Sequence, residues 1–166
     1  MGHRLTITDI NKMKEEISHR KSVVRPELLD KLKTARAQGD LSENFEYHAA
    51  KREKAKNDSR IRFLEKMIRN AEIIKDTVPD DCAGIGKTIT FYVEEDDVEE
   101  QCSIVSTMLS NSLENRVSIE SPMGKALSGR RVGDRVQIRV SDSYSYYVEI
   151  RKIEDFDDAQ IPINAY

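Results

Sequence analysis

Two carboxylates three residues apart, Asp40 and Glu43, are the side chains whose types and spacing best fit chemistry. They lie in the segment Ala37-Gln-Gly-Asp-Leu-Ser-Glu-Asn-Phe-Glu-Tyr-His-Ala-Ala50. On a helix, residues three apart share a face. At a helix start the dipole favours their ionised form. Two ionised carboxylates at an exposed tip supply hard oxygen ligands for a cation such as Mg²⁺. Alone they leave most of an octahedral shell to water, so the pair reads as half of a site that another macromolecule completes. The same spacing is also a capping box, with Asp40 as N-cap and Glu43 at the third helical position. From the D-x-x-E pattern alone, capping is the stronger explanation, and both readings stay open.

Cations surround the acids. Arg36 precedes them, and His48, Lys51, Arg52, Lys54 and Lys56 follow. Cations beside a metal-binding tip suit an approach to nucleic-acid phosphates; their alternative is a solvated helix face. A lone exposed histidine is no general base by itself, so His48 stays outside the expected chemistry. Phe45 and Tyr47 could stack on a base, although the simpler reading has Phe45 sealing the hairpin end and Tyr47 packing locally.

The elements that must hold this tip are helical. Ile10, Met13 and Ile17 recur at helical spacing, with Thr8 or Asp9 as the expected N-cap. Pro26 should kink that helix or start a new segment near Arg25. Leu28, Leu29, Leu32 and Ala35 resume the stripe, and Gly39 suits a helix C-terminus. A second stretch from about Leu41 to Ile74 carries Phe45, Ala49, Ile61, Leu64, Met67, Ile68 and Ala71 on one stripe, which nearly vanishes between Lys51 and Arg60. Two helices of about 30 residues would each reach roughly 45 Å. A short turn makes them antiparallel neighbours, and the narrow stripe fits a two-helix coiled coil.

After Thr77-Val-Pro-Asp-Asp81 the period changes to that of strands: Lys87 to Val93, Glu99 to Thr107, Val117 to Ile119, Arg135 to Val140 and Tyr144 to Ile153. A short helix fits Pro122 to Leu127, with Ser121 as N-cap and Pro122 at its first position. The fold class is therefore α+β: an N-terminal antiparallel two-helix coiled coil over 1–76 with its tip at 38–46, a small antiparallel sheet domain with one short helix over 80–154, and a frayed tail over 155–166.

Composition limits the alternatives. Of 166 residues, 38% are hydrophobic and 34% charged, as expected when much of the chain is exposed helix. There is no apolar run of about 18 residues, so no membrane partner is expected. No apolar core follows Met1-Gly2-His3-Arg4, so no secretory signal is expected and the location is read as cytoplasmic. Cys82 and Cys102 have neither metal-ligand nor C-x-x-C spacing and read as ordinary thiols, with a pairing left open. Residues 1–76 carry 18 Lys and Arg against 13 Asp and Glu, and the remaining residues carry 9 against 17. A basic half beside an acidic half suggests two modules with different partners, but from charge alone a solvated helical surface is the favoured explanation of the basic excess.

The segment Ala35-Arg-Ala-Gln-Gly-Asp-Leu-Ser-Glu-Asn-Phe-Glu-Tyr-His-Ala-Ala-Lys51 resembles the signature of the bacterial Gre transcript cleavage factors, GreA type. So do Arg25-Pro26-Glu27 and, in the other half, Val117-Ser-Ile-Glu-Ser-Pro-Met-Gly-Lys-Ala-Leu127 with Gly129 and Val132-Gly133-Asp134. The opening Leu5-Thr-Ile-Thr-Asp-Ile and the polar turn Ser141-Asp142-Ser143 depart from the family pattern.

The resemblance implies that the sheet domain is FKBP-like and docks at the rim of the secondary channel of RNA polymerase. The coiled-coil tip then reaches the polymerase active centre. There Asp40 and Glu43 would help hold a Mg²⁺ jointly with the polymerase. The polymerase's own endonucleolytic cleavage of backtracked nascent RNA would be stimulated, leaving a new RNA 3′ end and rescuing arrested elongation complexes. On this reading the protein is an accessory factor, not an enzyme, and a monomer in solution. Asn44 and Tyr47 would support the tip, Arg36, Lys51 and Arg52 would contact RNA, and Glu120, Ser121 and Pro122 would dock on polymerase. A Gre-like inhibitor that plugs the channel without cleavage is the main alternative; a peptidyl-prolyl isomerase and a coiled-coil adaptor are the others.

Overall fold

The first helix starts earlier than its stripe suggests. In the computed structural model, which describes residues 2–39 and 44–165, strand β1 (Arg4–Thr6) runs directly into helix α1 (Ile7–His19). Thr6 Oγ1 accepts from the Asp9 N–H at 3.1 Å, and Asp9 Oδ2 accepts from the Thr6 N–H at 3.0 Å. This is a reciprocal capping box. The cap is therefore Thr6, with Asp9 its third-position partner, instead of Thr8 or Asp9.

A π-helical turn, Arg20–Val24, separates α1 from α2 (Arg25–Arg36), with Pro26 in the first turn of α2. Pro26 has no N–H to give to the preceding turn, and the wider turn absorbs the lost bond. The expected break near Arg25 is thus present, without ending the helical path. Helix α3 spans Phe45–Arg69, four residues later at its start and five earlier at its end than the stripe suggests. After α3, strand β2 (Glu72–Ile74) pairs in parallel with β1, Leu5 opposite Ile73. Neither three-residue strand is legible by periodicity.

The second half contains β3 (Lys87–Val93), β4 (Val98–Val105), β5 (Arg116–Ser118), helix α4 (Pro122–Leu127), β6 (Arg135–Arg139) and β7 (Ser145–Asp155). Their order in the sheet is β5-β4-β3-β7-β6. Most pairs are antiparallel, but β4 and β5 run parallel, Ile104 opposite Val117, so the sheet is mixed and not purely antiparallel. Single-turn 3-10 segments at Thr107–Leu109 and Ser112–Glu114 make the return that allows this. One sheet face and Leu127 of α4 enclose a core of Ile89, Phe91, Ile104, Val136, Ile138 and Ile150.

Contacts divide the chain into two units: Ile10–Ala71, and His3–Asp9 together with Glu72–Ala165. The first strand, placed by sequence within 1–76, therefore goes with the sheet. The tail expected to fray is tied down within that same unit. The Phe156 N–H donates to Gly86 O at 2.9 Å, and Asn164 donates its backbone N–H to Met108 O at 2.8 Å and its Nδ2 to Ser110 O at 2.9 Å. Both cysteines are free thiols, and burial pushes the Cys102 thiol up to about 12. Among the described residues no helix is long and apolar enough to cross a membrane.

Candidate functional site

Helix α2 ends at Arg36, where the Gln38 N–H turns back to Ala35 O at 3.2 Å. Gly39 follows with φ of +113°, a conformation that a side chain would strain. The chain re-enters helix at Asn44, whose extended backbone (φ −85°, ψ 95°) makes it the N-cap of α3. Asn44 Oδ1 accepts from the Tyr47 N–H at 3.0 Å. The other end of the same amide, Nδ2, donates to Ala35 O at 2.7 Å. One side chain thus caps the incoming helix and clips it to the outgoing one.

Asp40 and Glu43 lie outside the described residues, between these two fixed ends. The capping box expected of them is not what starts α3: its cap is Asn44 and its first residue Phe45. Among the described residues no cluster of three His, Cys, Asp or Glu side chains fits a metal ion.

The described tip residues make ring contacts of their own. The Arg36 guanidinium sits over the Tyr47 ring, 5.7 Å from its centroid, and His48 meets that ring edge-on at 5.4 Å. Cation–π contact of this kind orients both groups. Lys51 follows Tyr47 by one helical turn and Arg52 follows His48 likewise. Both are exposed, and among the described residues neither makes an ion pair. Phe45 does not seal the hairpin; it is 87% exposed. Ala50 is buried where the stripe pointed to Ala49.

The second group of candidate residues lies where β5 turns into α4. Ser121 is the cap expected of it: its Oγ accepts from the Gly124 N–H at 3.0 Å and donates to Ser118 O at 2.6 Å. Gly124 is required by closeness, since a Cβ there would lie 2.1 Å from Ser118 O. Glu120 Oε2 accepts from Thr107 Oγ1 at 2.5 Å and lies 3.5 Å from His3 Nδ1. The Thr107 hydrogen bond, aided by His3 and opposed by burial, holds the Glu120 carboxyl below the usual glutamate range. Pro122 is exposed and borders a groove of about 650 Å³ lined also by Val117, Met123, Ile138, Val140 and Tyr146. Tyr146 is the one aromatic in that lining, which gives no aromatic cage for a proline ring.

A clipped helical hairpin and a curled mixed sheet with a capped helix at its edge place the molecule in the α+β class as a two-unit protein. Two family descriptions match it in tandem: "Transcription elongation factor, N-terminal" over residues 3–73 and "Transcription elongation factor, GreA/GreB, C-term" over 78–155. Relatives named transcription elongation factor GreA are 40% identical over 150 residues in Staphylococcus aureus, covering 90% of this chain and 95% of that one. In Acholeplasma laidlawii the identity is 37% over 151 residues, covering 91% and 96%. The chain belongs to the GreA/GreB family of transcription elongation factors. Among solved structures, GreA factor homolog 1 (Gfh1) of Thermus thermophilus aligns at 24% identity with a TM-score of 0.43, covering 93% of this chain and 99% of that one. GreA/GreB from Nitrosomonas europaea aligns at 16% and 0.39, covering 92% and 98%.

Proposed function

We propose that this protein binds bacterial RNA polymerase as a monomer in the cytoplasm and stimulates the polymerase's own cleavage of backtracked nascent RNA. In this reading Glu120, Ser121 and Pro122 dock at the rim of the secondary channel, and the hairpin tip enters it. Asp40 and Glu43 lend carboxylate oxygens to a Mg²⁺ held jointly with the polymerase. Bound there, such an ion would activate a water and neutralise charge on the reacting phosphate. Arg36, Lys51 and Arg52 face the RNA backbone, and Tyr47, oriented by Arg36, steadies the tip beside the RNA 3′ end.

The observation that carries this reading is the double role of Asn44. Because Asn44 caps α3 and clips it to Ala35, helix initiation does not need the two acids. Their simplest alternative employment is taken by a neighbour. The clip also fixes both chain ends that flank them, as a ligand pair offered to another protein requires.

The test is transcript cleavage by stalled polymerase with wild-type factor and with an Asp40→Ala, Glu43→Ala double variant, run across Mg²⁺ concentrations. Wild type should accelerate cleavage and the variant should not, with the largest difference at low Mg²⁺. A wild type that binds polymerase and blocks synthesis without accelerating cleavage would establish the inhibitor instead.

A further inference from the structure

Halfway along the hairpin the apolar seam stops. On α3 the buried positions Ala50, Asn57, Ile61 and Leu64 are spaced seven, four and three residues apart, the heptad rhythm of a coiled-coil seam. Asn57 occupies a seam position although it is polar, and Arg60 is buried beside it; they are 3% and 4% exposed. Across the hairpin stand Glu16 and Arg20. Glu16 takes both a 2.8 Å bond from Arg60 Nε and a 3.2 Å bond from Arg60 NH2, and a further 2.8 Å bond from Arg20 Nε. Arg20 NH1 donates to Asn57 Oδ1 at 3.0 Å, and Asn57 Nδ2 donates back to Arg20 O at 3.3 Å. That carbonyl is the one at which the π-turn begins, where it also accepts the Arg25 N–H. Asn57 therefore reads the backbone irregularity of the facing helix.

We propose that the Glu16–Arg20–Asn57–Arg60 layer is a register pin that positions the tip. The proposal rests on the polymerase reading for its consequence, though not for its geometry. The apolar seam discriminates less sharply between registers, because apolar contact is non-directional. The polar layer discriminates sharply. A slip of one heptad, about 10 Å along the axis, would set Glu16 opposite Glu53 or Met67 in place of Arg60. It would set Arg20 opposite Leu64 or Ala50 in place of Asn57. Each alternative leaves a half-buried charge without its partner, which is costly. A slip would also part Asn44 from Ala35 and dismantle the tip. Buried polar residues that fix register at some cost in stability are the best-attested use of such groups.

The experiment replaces the layer with apolar residues in the full chain: Glu16→Leu, Arg20→Leu, Asn57→Leu and Arg60→Met. Register is read on the free protein by the distance between nitroxide labels at Lys31→Cys and Glu53→Cys, exposed positions whose native side chains pair across the hairpin at 3.5 Å. Cys82→Ser removes the accessible native thiol, and Cys102 stays buried. With the native layer a single narrow distance is expected. The apolar variant should keep or raise its melting temperature yet show a second distance population. At saturating factor its cleavage rate should fall at least tenfold, with half-saturation for polymerase within twofold of wild type. A single unchanged distance overturns the pin, whether or not cleavage falls. An apolar variant that unfolds also overturns it, since the layer would then supply stability and not register. If the native-layer protein fails to stimulate cleavage, the polymerase reading fails, and the distance measurement still decides the register.

Discussion

Replacing Asn44 is the sharpest perturbation of the tip, because its two bonds can be removed separately. Asn44→Ala loses the cap to the Tyr47 N–H and the clip to Ala35 O. A lost N-cap costs about 1 kcal/mol. The lost clip costs about 1 kcal/mol more, since Ala35 O keeps its bond from the Gln38 N–H and is not orphaned. The tip should then open about 2 kcal/mol more easily, or about 30-fold faster amide exchange at Tyr47 if opening is local. Asn44→Asp separates the two bonds. Aspartate caps as well as asparagine, but it has no donor for Ala35 O and turns a carboxylate towards that carbonyl. Tyr47 should stay protected, while cleavage stimulation falls towards that of Asn44→Ala. The assay is site-resolved hydrogen exchange beside transcript cleavage at saturating factor. If Asn44→Asp matches wild type in both, the clip contributes nothing. If Asn44→Ala does so too, the argument from Asn44 to the acids collapses.

The remaining predictions concern the stalk and the sheet unit. Burial alone would raise the Glu16 carboxyl, but the hydrogen bonds and charges of Arg60 and Arg20 together hold it below its ordinary value of 4.5. A depressed folded-state value means that Glu16 stabilises the hairpin above the unfolded value and loses that contribution as pH falls through the folded one. Thermal melts followed by helical circular dichroism should therefore drop below about pH 4.5, and less steeply for Glu16→Gln. Gly124→Ala should force α4 away from β5, because its new Cβ would meet Ser118 O at 2.1 Å. The cost should be about 1–3 kcal/mol by denaturant unfolding, with weaker polymerase binding; an unchanged midpoint would refute the close packing.

What the sequence disclosed depended on how local the physics was. Helix α4 was legible to the residue, because Ser121 and Pro122 announce a start that needs no tertiary partner. Strand β3 was legible to its ends, since turn signals bound its apolar run. The parallel strands β1 and β2 were not, because three residues carry no period and their pairing spans the whole hairpin. The polar layer carries no apolar signal and shows only in the heptad spacing that runs through Asn57. Phe45 entered the stripe on hydrophobicity alone, although it sits at the first position of α3, where nothing described lies across from it to bury it.

The start of α3 shows why two chemically similar signals must be weighed against each other. Asp40 with Glu43 offers a capping box, and Asn44 offers a cap three residues before Tyr47. Either alone would start a helix. Propensity does not separate them, because asparagine and aspartate cap about equally well. Tertiary contact does. At Asn44 the amide has a donor to spare, and Ala35 O lies within reach to take it; a carboxylate has no such donor. The hairpin therefore selects the residue that can both cap and clip. Helix α3 starts at Phe45, with Asn44 as its cap.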